Sequence, residues 1–175
     1  ADALREAGAE YGAATGRPRR VGGFDVVASR YGTKMQGATA IALTKLDVLS
    51  YMEKIPVCTH YEVDGKLTDS FPTGAALIGA KPHYEYVPGW KCDISACRHF
   101  DELPEAACDY VEMIEKAVGC PIKYISVGAG RDEYNEKYVR NWDSCESQYI
   151  VQILLRCSYR SEIKGVDKQL YDRLR

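Results

Sequence analysis

The stretch GAATGRPRR at residues 12–20 places small residues beside three arginines. A guanidinium binds a carboxylate or a phosphate through two parallel N–H bonds, and it keeps its charge near neutral pH. A loop of small residues exposes backbone N–H groups that can bind the same anion. The stretch therefore predicts an anion-binding loop. The residues alone leave open an alternative, a solvated basic loop without a ligand.

The sequence TKLD at residues 44–47 follows a short apolar run and places Asp47 where a strand is expected to end. A carboxylate there can accept hydrogen bonds from N1–H and the amino group of guanine, while the stem of Lys45 lies along the purine. Adenine lacks this pair of donors, and a buried carboxylate left unpaired discriminates well between ligands. Because such a tetrapeptide is common by chance, an ordinary surface turn is the alternative.

A third stretch, SVGAGR at residues 126–131, also ends a predicted strand. Its glycines would let backbone N–H groups approach a ligand closely. An ordinary turn after a strand is the alternative for this stretch as well.

Composition excludes several classes of protein. The chain is 46% apolar and 27% charged with a net charge of -2, which is typical of a soluble globular protein, and we expect it in the cytoplasm. The apolar runs fall far short of the roughly 20 residues that cross a bilayer, so no membrane association is expected. A pI near 6.0 and a single basic loop argue against nucleic-acid binding.

The cysteines and histidines do not form a recognisable metal site. The seven cysteines are scattered without a CxxC pair, so we expect reduced thiols, with Cys92 and Cys97 as the one close spacing that could bind metal or act in redox chemistry. The histidines are expected to be structural or exposed: His60, His83 and His99. We therefore predict neither a catalytic residue nor a metal ligand in this chain.

The elements that would position these stretches are visible as hydrophobic patterns. Residues 24–37 have helical spacing, with Asp25 in the first turn and Tyr31 and Met35 on the apolar face. Residues 103–119 give the clearest helix, and Asp64-Gly65 indicates a hairpin.

Further segments complete this pattern. The opening residues 1–12 are typical of the last turns of a helix, and strands are expected at 38–49, 83–87 and 121–126. Alternation of strand, helix and strand predicts an α/β fold with a mostly parallel sheet flanked by helices. Residues 135–175 carry eight Lys/Arg against six Asp/Glu and lack this pattern, so we predict a body of 1–134 and a separate tail of 135–175.

Taken together and in this order, the motifs closely resemble the adenylosuccinate synthetase family. The resemblance runs from residue 1 to about 134 and is carried by GAATGRPRR, TKLD, CTHYEVDG, YEYVPGW, LPEAACDYVEMIEKAVGCPI and SVGAGR. It implies a GTP-dependent ligase of purine and AMP biosynthesis that joins IMP and L-aspartate to give adenylosuccinate, GDP and phosphate, with Mg²⁺. It also implies a homodimer and a fold related to the P-loop NTPases.

The resemblance assigns residues to each substrate. Aspartate and IMP would contact the first loop, with Arg17 on IMP and Arg19 reaching the GTP side: Ala13, Ala14, Thr15, Gly16, Arg17 and Arg19. GTP would contact Arg19 and two further stretches: Lys45, Leu46 and Asp47, with Ser126, Val127 and Gly128.

Two departures from the family pattern qualify what is implied. Ala14 replaces a threonine, which predicts weaker aspartate binding. The chain also has no GDEGKG or GxxxxGK[ST] string, so the phosphate loop, the catalytic groups and the Mg²⁺ ligands implied for an N-terminal part are not in it. We therefore expect a C-terminal fragment that is inactive alone. The alternative is a non-catalytic module that binds guanine nucleotide or IMP.

Overall fold

The computed structural model describes residues 1–137 and 150–154, and the following elements belong to those residues. The helices are α1 (Asp2–Ala7), α2 (Val26–Gln36), α3 (Ala75–Gly79) and α4 (Glu105–Val118). The strands are β1 (Phe24–Asp25), β2 (Ala40–Thr44), β3 (Lys54–Val63), β4 (Lys66–Thr68), β5 (Lys81–Pro88), β6 (Ile122–Ser126), β7 (Tyr134–Glu136) and β8 (Ile150–Leu154). Among these residues no helix is long and apolar enough to cross a membrane.

One sheet carries the two strand ends that the sequence singled out. Its order is β7-β6-β2-β8, and β2 runs parallel to both β6 and β8. Because β2 and β6 are parallel, their carboxyl ends meet at the same edge of the sheet. The strand predicted at residues 38–49 is confirmed as the buried strand β2, in which Ile41 and Leu43 are fully buried.

The second sheet contains β1, β3, β4 and β5. The pairing of β1 with β3 is parallel, whereas β4 and β5 both pair antiparallel with β3. The prediction of a mostly parallel sheet is therefore only partly correct, since β7 also joins β6 antiparallel. The hairpin at Asp64-Gly65 is confirmed. Both residues have positive φ, 51° and 75°, as the tight turn between β3 and β4 requires.

Helix α4 packs its apolar stripe onto the β2 sheet. Tyr110, Val111, Ile114 and Val118 are buried in the same core as Ile41 and Ile125. Gly119 ends the helix in the left-handed conformation at φ 73°, which glycine adopts without a steric penalty. The predicted helix and its stop signal are thus confirmed, and the strand β6 starts three residues later.

Helix α2 differs from its prediction in detail. Asp25 lies one residue before the helix and accepts a hydrogen bond from the Ala28 N–H at 2.8 Å, so it is the N-cap rather than a first-turn residue. Tyr31 and Met35, expected on the apolar face, are exposed. The buried residues of the helix are instead Val26, Val27 and Thr33.

Strands β7 and β8 contain residues of the predicted tail, 135–175, whose sequence lacks the α/β pattern. β7 crosses the predicted boundary after residue 134, and β8 pairs with β2 from Ala40↔Ile150 to Thr44↔Leu154. A strand from the tail therefore covers the free edge of β2. The remaining tail, residues 138–149 and 155–175, lies outside the described residues.

Candidate functional site

The small-residue loop is closed at its base by backbone pairing. Tyr11 and Pro18 form an antiparallel bridge, and the Gly12 N–H donates to the Arg17 carbonyl at 2.8 Å. Gly16 has φ 64°, a left-handed conformation that suits glycine. The tip of the loop, residues 13–17, is exposed. These contacts fix the ends of the loop and present its tip to solvent.

Within the tip, a threonine hydroxyl organises the turn. The Arg17 N–H donates to Thr15 Oγ1 at 3.3 Å, and the same oxygen would lie 2.8 Å from a Cβ added at Gly12. A side chain at Gly12 would therefore displace the Thr15 hydroxyl. Among residues 1–137 the guanidinium of Arg17 has no ion-pair partner, so its charge is available to an anion.

A buried carboxylate links this loop to the TKLD stretch. Glu10 forms ion pairs with both Arg19, at 3.1 Å, and the ammonium of Lys45. The Lys45 ammonium also donates to the Gly8 carbonyl at 2.8 Å. Arg19 and Lys45, which the family resemblance assigns to GTP, are therefore both held by Glu10.

The TKLD stretch turns sharply at the end of β2. Lys45 has φ 63°, a left-handed conformation that is unfavourable for a residue with a Cβ. Leu46 is fully buried, and its N–H donates to the Ser126 carbonyl at 3.0 Å. Asp47 then starts a short 3-10 turn, Asp47–Leu49. The bond from Leu46 to Ser126 joins the ends of β2 and β6.

The carboxyl group of Asp47 is incompletely satisfied. Its Oδ1 atom is buried and has no hydrogen-bond partner among the described residues. Burial is the main cause that raises the pKa of Asp47, and the nearby Glu133 carboxylate raises it further. The Lys45 ammonium and backbone N–H groups of Asp47 and Val48 act in the opposite direction. A half-buried carboxyl group with an unpaired oxygen is suited to a ligand that brings hydrogen-bond donors.

The SVGAGR turn folds around Glu133. Ser126 Oγ donates to the Gly128 carbonyl at 2.8 Å, and the Val127 N–H donates to the Glu133 carbonyl at 2.9 Å. Glu133 Oε2 accepts the Gly130 N–H at 2.5 Å. A Cβ added at Gly128 would lie 2.3 Å from this carboxylate. The close approach explains why the turn has glycine there.

The three stretches that the sequence singled out are thus connected. TKLD contacts SVGAGR through the Leu46–Ser126 hydrogen bond, and Glu10 joins TKLD to Arg19. Residues 13–16 of the loop tip contact neither stretch through any hydrogen bond described for residues 1–137. Sequence reasoning missed Glu10 and Glu133, because a single glutamate in a loop or a turn carries no pattern.

The cysteines and histidines form no metal-type cluster among residues 1–137. Free thiols are found at Cys58, Cys92, Cys97, Cys108 and Cys120, whereas Cys145 and Cys157 lie outside the described residues. Burial raises the pKa of Cys97, which disfavours the thiolate form that binds metals. In residues 1–137 no three His, Cys, Asp or Glu side chains cluster as a metal site would need.

Comparison with known proteins gives one consistent family. A sequence model described as adenylosuccinate synthetase matches residues 1–135. The chain belongs to the adenylosuccinate synthetase family. Curated adenylosuccinate synthetases from Pelobacter propionicus and Mycobacterium marinum are 50% and 53% identical to it over 133 and 131 residues. These regions are 75% and 74% of this chain.

A solved structure of the family has the same fold. The structure of fully ligated adenylosuccinate synthetase from Plasmodium falciparum matches with a TM-score of 0.73 and 41% identity, over 78% of this chain and 34% of that chain. The mixed α/β arrangement is therefore that of an adenylosuccinate synthetase. The chain spans only 31% and 30% of the length of the two curated synthetases.

Proposed function

We propose that this chain supplies the guanine-nucleotide site and part of the aspartate and IMP site of an adenylosuccinate synthetase. That enzyme is a GTP-dependent ligase that joins IMP and L-aspartate to give adenylosuccinate, GDP and phosphate in AMP biosynthesis. The observation that carries the proposal is the buried, unpartnered Oδ1 of Asp47 at the end of β2. Membership of the family supports the reaction.

Asp47 would recognise guanine through two hydrogen bonds. Guanine presents N1–H and an amino group side by side, and both can donate to one carboxylate. Because Oδ1 is shielded from solvent in the ligand-free chain, the base would reach it after the Asp47 carboxyl turns outward or its neighbours move. The energetic gain is large, since the base replaces an unsatisfied buried acceptor by a charge-assisted pair.

The residues around Asp47 would complete the guanine site. The stem of Lys45 would lie against the purine face, and the buried Leu46 fixes the turn by its bond to Ser126. Backbone groups of Ser126, Val127 and Gly128 would contact the opposite edge of the base. The absence of a Cβ at Gly128 allows Glu133 to pack against the turn, which fixes the backbone that would face the base.

The small-residue loop would bind the acidic substrates. Ala13, Ala14, Thr15 and Gly16 would face the carboxylates of aspartate, with Arg17 on IMP. The exposed tip supports this assignment, and so does the guanidinium of Arg17, which has no ion pair within residues 1–137. Arg19 would extend from the loop to the GTP side. Restoring a hydroxyl by Ala14→Thr should strengthen aspartate binding.

The division of the chain, the assembly, the location and the use of Mg²⁺ are proposed for the complete enzyme. We propose that residues 1–134 form the C-terminal part of the synthetase, in a fold related to P-loop NTPases, and that 135–175 form a tail. The assembled enzyme would be a cytoplasmic homodimer. Mg²⁺ would neutralise phosphate charge during phosphoryl transfer. The described residues offer no cluster that fits the ion, so its ligands are assigned to none of them.

A second candidate function is a non-catalytic module that binds guanine nucleotide or IMP. It is favoured by one observation, that Asp47, Lys45, Arg19 and the Ser126 turn are connected within this chain. Both candidates use the same residues. They differ in whether the 175-residue chain binds nucleotide by itself.

Calorimetric titration of the purified chain with GDP and, separately, with ADP tests the proposal. Binding of GDP but not ADP supports the guanine assignment, and equal binding of the two contradicts it. No binding by a chain that circular dichroism shows to be folded would exclude the stand-alone module. An assay with IMP, L-aspartate, GTP and Mg²⁺ should give no adenylosuccinate from this chain alone.

A further inference from the structure

Glu10 is a buried carboxylate placed between two cations from different segments. One carboxylate oxygen, Oε2, lies 3.1 Å from Arg19 Nη1, and the other, Oε1, contacts Lys45 Nζ. The Glu10 side chain is only 7% exposed, whereas those of Arg19 and Lys45 are 40% and 34% exposed. The anion therefore lies behind the two cations, and the cations face the solvent.

The backbone around Glu10 reinforces this arrangement. The Arg19 N–H donates to the Glu10 carbonyl at 2.9 Å, and Arg5 Nε donates to the Arg19 carbonyl at 2.9 Å. Glu10 is next to Tyr11, which closes the base of the small-residue loop with Pro18. A single residue is thus fixed to the loop by its backbone and to the TKLD turn by its side chain.

The charges at this point favour a phosphate-bearing ligand. Within residues 1–137, the described ion pairs of Glu10 join one carboxylate to one guanidinium and one ammonium. Arg19 uses one side-chain N–H for Glu10, and Lys45 uses two for Glu10 and Gly8, so further donors of these cations can bind an incoming anion. A buried carboxylate that pairs with two outward-facing cations restricts those cationic side chains before a ligand arrives. Unrestricted side chains would lose conformational entropy when the ligand binds.

We propose that Glu10 is a positioning residue for the nucleotide site. It holds Lys45 beside Asp47 and holds Arg19 on the same side, so that both are in place before the nucleotide arrives. This inference rests on the proposed function for its ligand. The ion pairs themselves can be tested without one.

The ligand-free test is limited proteolysis of the 175-residue chain with trypsin. The bond after Arg17 precedes Pro18 and resists cleavage, so Arg19 and Arg20 report on this loop. Glu10→Gln should increase cleavage after Arg19 by roughly tenfold, because the side chain is released to the protease. The control Glu53→Gln removes an exposed ion pair with Lys91 at 3.2 Å and should leave the rate unchanged.

The ligand test is a double-mutant cycle on GDP affinity. Glu10→Gln should weaken GDP binding about tenfold, and this loss should shrink in a Lys45→Met background and disappear when both Lys45 and Arg19 are replaced by Met. Should Glu10→Gln fail to fold, Glu10→Asp keeps the charge but is one methylene shorter and should produce both effects in weaker form. Glu53→Gln should bind GDP like the unchanged chain.

The outcomes separate this inference from the proposed function. Equal cleavage after Arg19 in all variants would overturn the positioning role, and so would a loss of GDP affinity that persists fully when both Lys45 and Arg19 are replaced by Met. If the unchanged chain bound no GDP, the stand-alone nucleotide site would be lost. The proteolysis result would still show whether Glu10 holds Arg19.

Discussion

Asp25 and Asp47 lie in comparable places but differ in their hydrogen-bond partners. Asp25 directly precedes helix α2, and Asp47 is the first residue of a 3-10 turn. Burial raises the pKa of both carboxyl groups. Asp25 accepts hydrogen bonds from the Ala28 N–H and the Tyr61 hydroxyl. Asp47 leaves Oδ1 buried and unpartnered within residues 1–137. The fold uses the first carboxylate to cap a helix and leaves the second incompletely paired.

The difference shows how a structural carboxylate can be distinguished from a binding one. A buried acceptor that is fully hydrogen-bonded stabilises the fold, whereas an unpaired one destabilises it. A functional requirement is one reason for a chain to retain such a destabilising group. The predictions that follow test whether Asp25 and Asp47 differ in this way.

The largest expected effect is on nucleotide affinity. Asp47→Asn should weaken GDP binding by about 100-fold, because an amide N–H₂ replaces an acceptor and faces the donors of guanine. Calorimetry measures the loss. Asp109→Asn, which neutralises an exposed aspartate on α4, is the matched control and should bind GDP normally.

Replacement of the capping aspartate should instead affect stability. Asp25→Ala removes the α2 N-cap and leaves the Tyr61 hydroxyl without this acceptor, so the free energy of unfolding should fall by about 2 kcal/mol. Chemical denaturation measures the change. A stability equal to that of the unchanged chain would contradict the structural role of Asp25, as would a selective loss of GDP affinity in a folded variant.

The pH dependence of stability should reveal the unsatisfied carboxylate. A group whose pKa is raised by folding stabilises the folded state below its unfolded pKa, and this contribution is lost as pH rises through the folded value. Relative to the unchanged chain, Asp47→Asn should therefore gain stability as pH rises above about 4, the usual pKa of an aspartate in an unfolded chain. The groups facing Asp47 are Lys45 and Glu133. A difference that shrinks with rising pH would show that Asp47 is stabilised in its charged form.

The smallest expected effect concerns Tyr110, whose hydroxyl is also buried without a partner among the described residues. It lies in the apolar core beside Trp90, and burial strongly raises its pKa. Tyr110→Phe should change the free energy of unfolding by less than about 1 kcal/mol and leave GDP affinity unaltered. A loss of GDP binding would mean that a change at an unpartnered atom in the core also lowers GDP affinity. The effect of Asp47→Asn would then not identify Asp47 as the guanine contact.

Much of the local structure could be predicted from the sequence. Helix α4, strand β2 and the hairpin at Asp64-Gly65 depend on neighbouring residues, so periodicity and turn chemistry were sufficient. Tyr31 and Met35 were assigned wrongly because helical spacing shows that an apolar face exists but not how much of it is covered. The antiparallel partners of β3 and the pairing of β8 with β2 depend on contacts between distant residues, which no local pattern encodes.

The candidate site was predictable in its parts but not in its connections. The residue types of GAATGRPRR, TKLD and SVGAGR indicated anion and guanine chemistry. The contact of Glu10 with Lys45 joins residues 35 positions apart, and the Leu46–Ser126 bond spans a still longer separation. Both are set by the parallel pairing of β2 with β6 and by the position of α1, which only the folded chain reveals.

The most direct test of the account compares GDP with inosine 5′-diphosphate in calorimetric titrations of the unchanged chain. Inosine diphosphate keeps N1–H and the phosphates but lacks the 2-amino group, so it removes one of the two donors proposed for Asp47. We expect inosine diphosphate to bind roughly 10- to 100-fold more weakly than GDP, and we expect this difference to vanish in Asp47→Asn. Equal affinity for the two nucleotides would contradict the claim that Asp47 reads guanine.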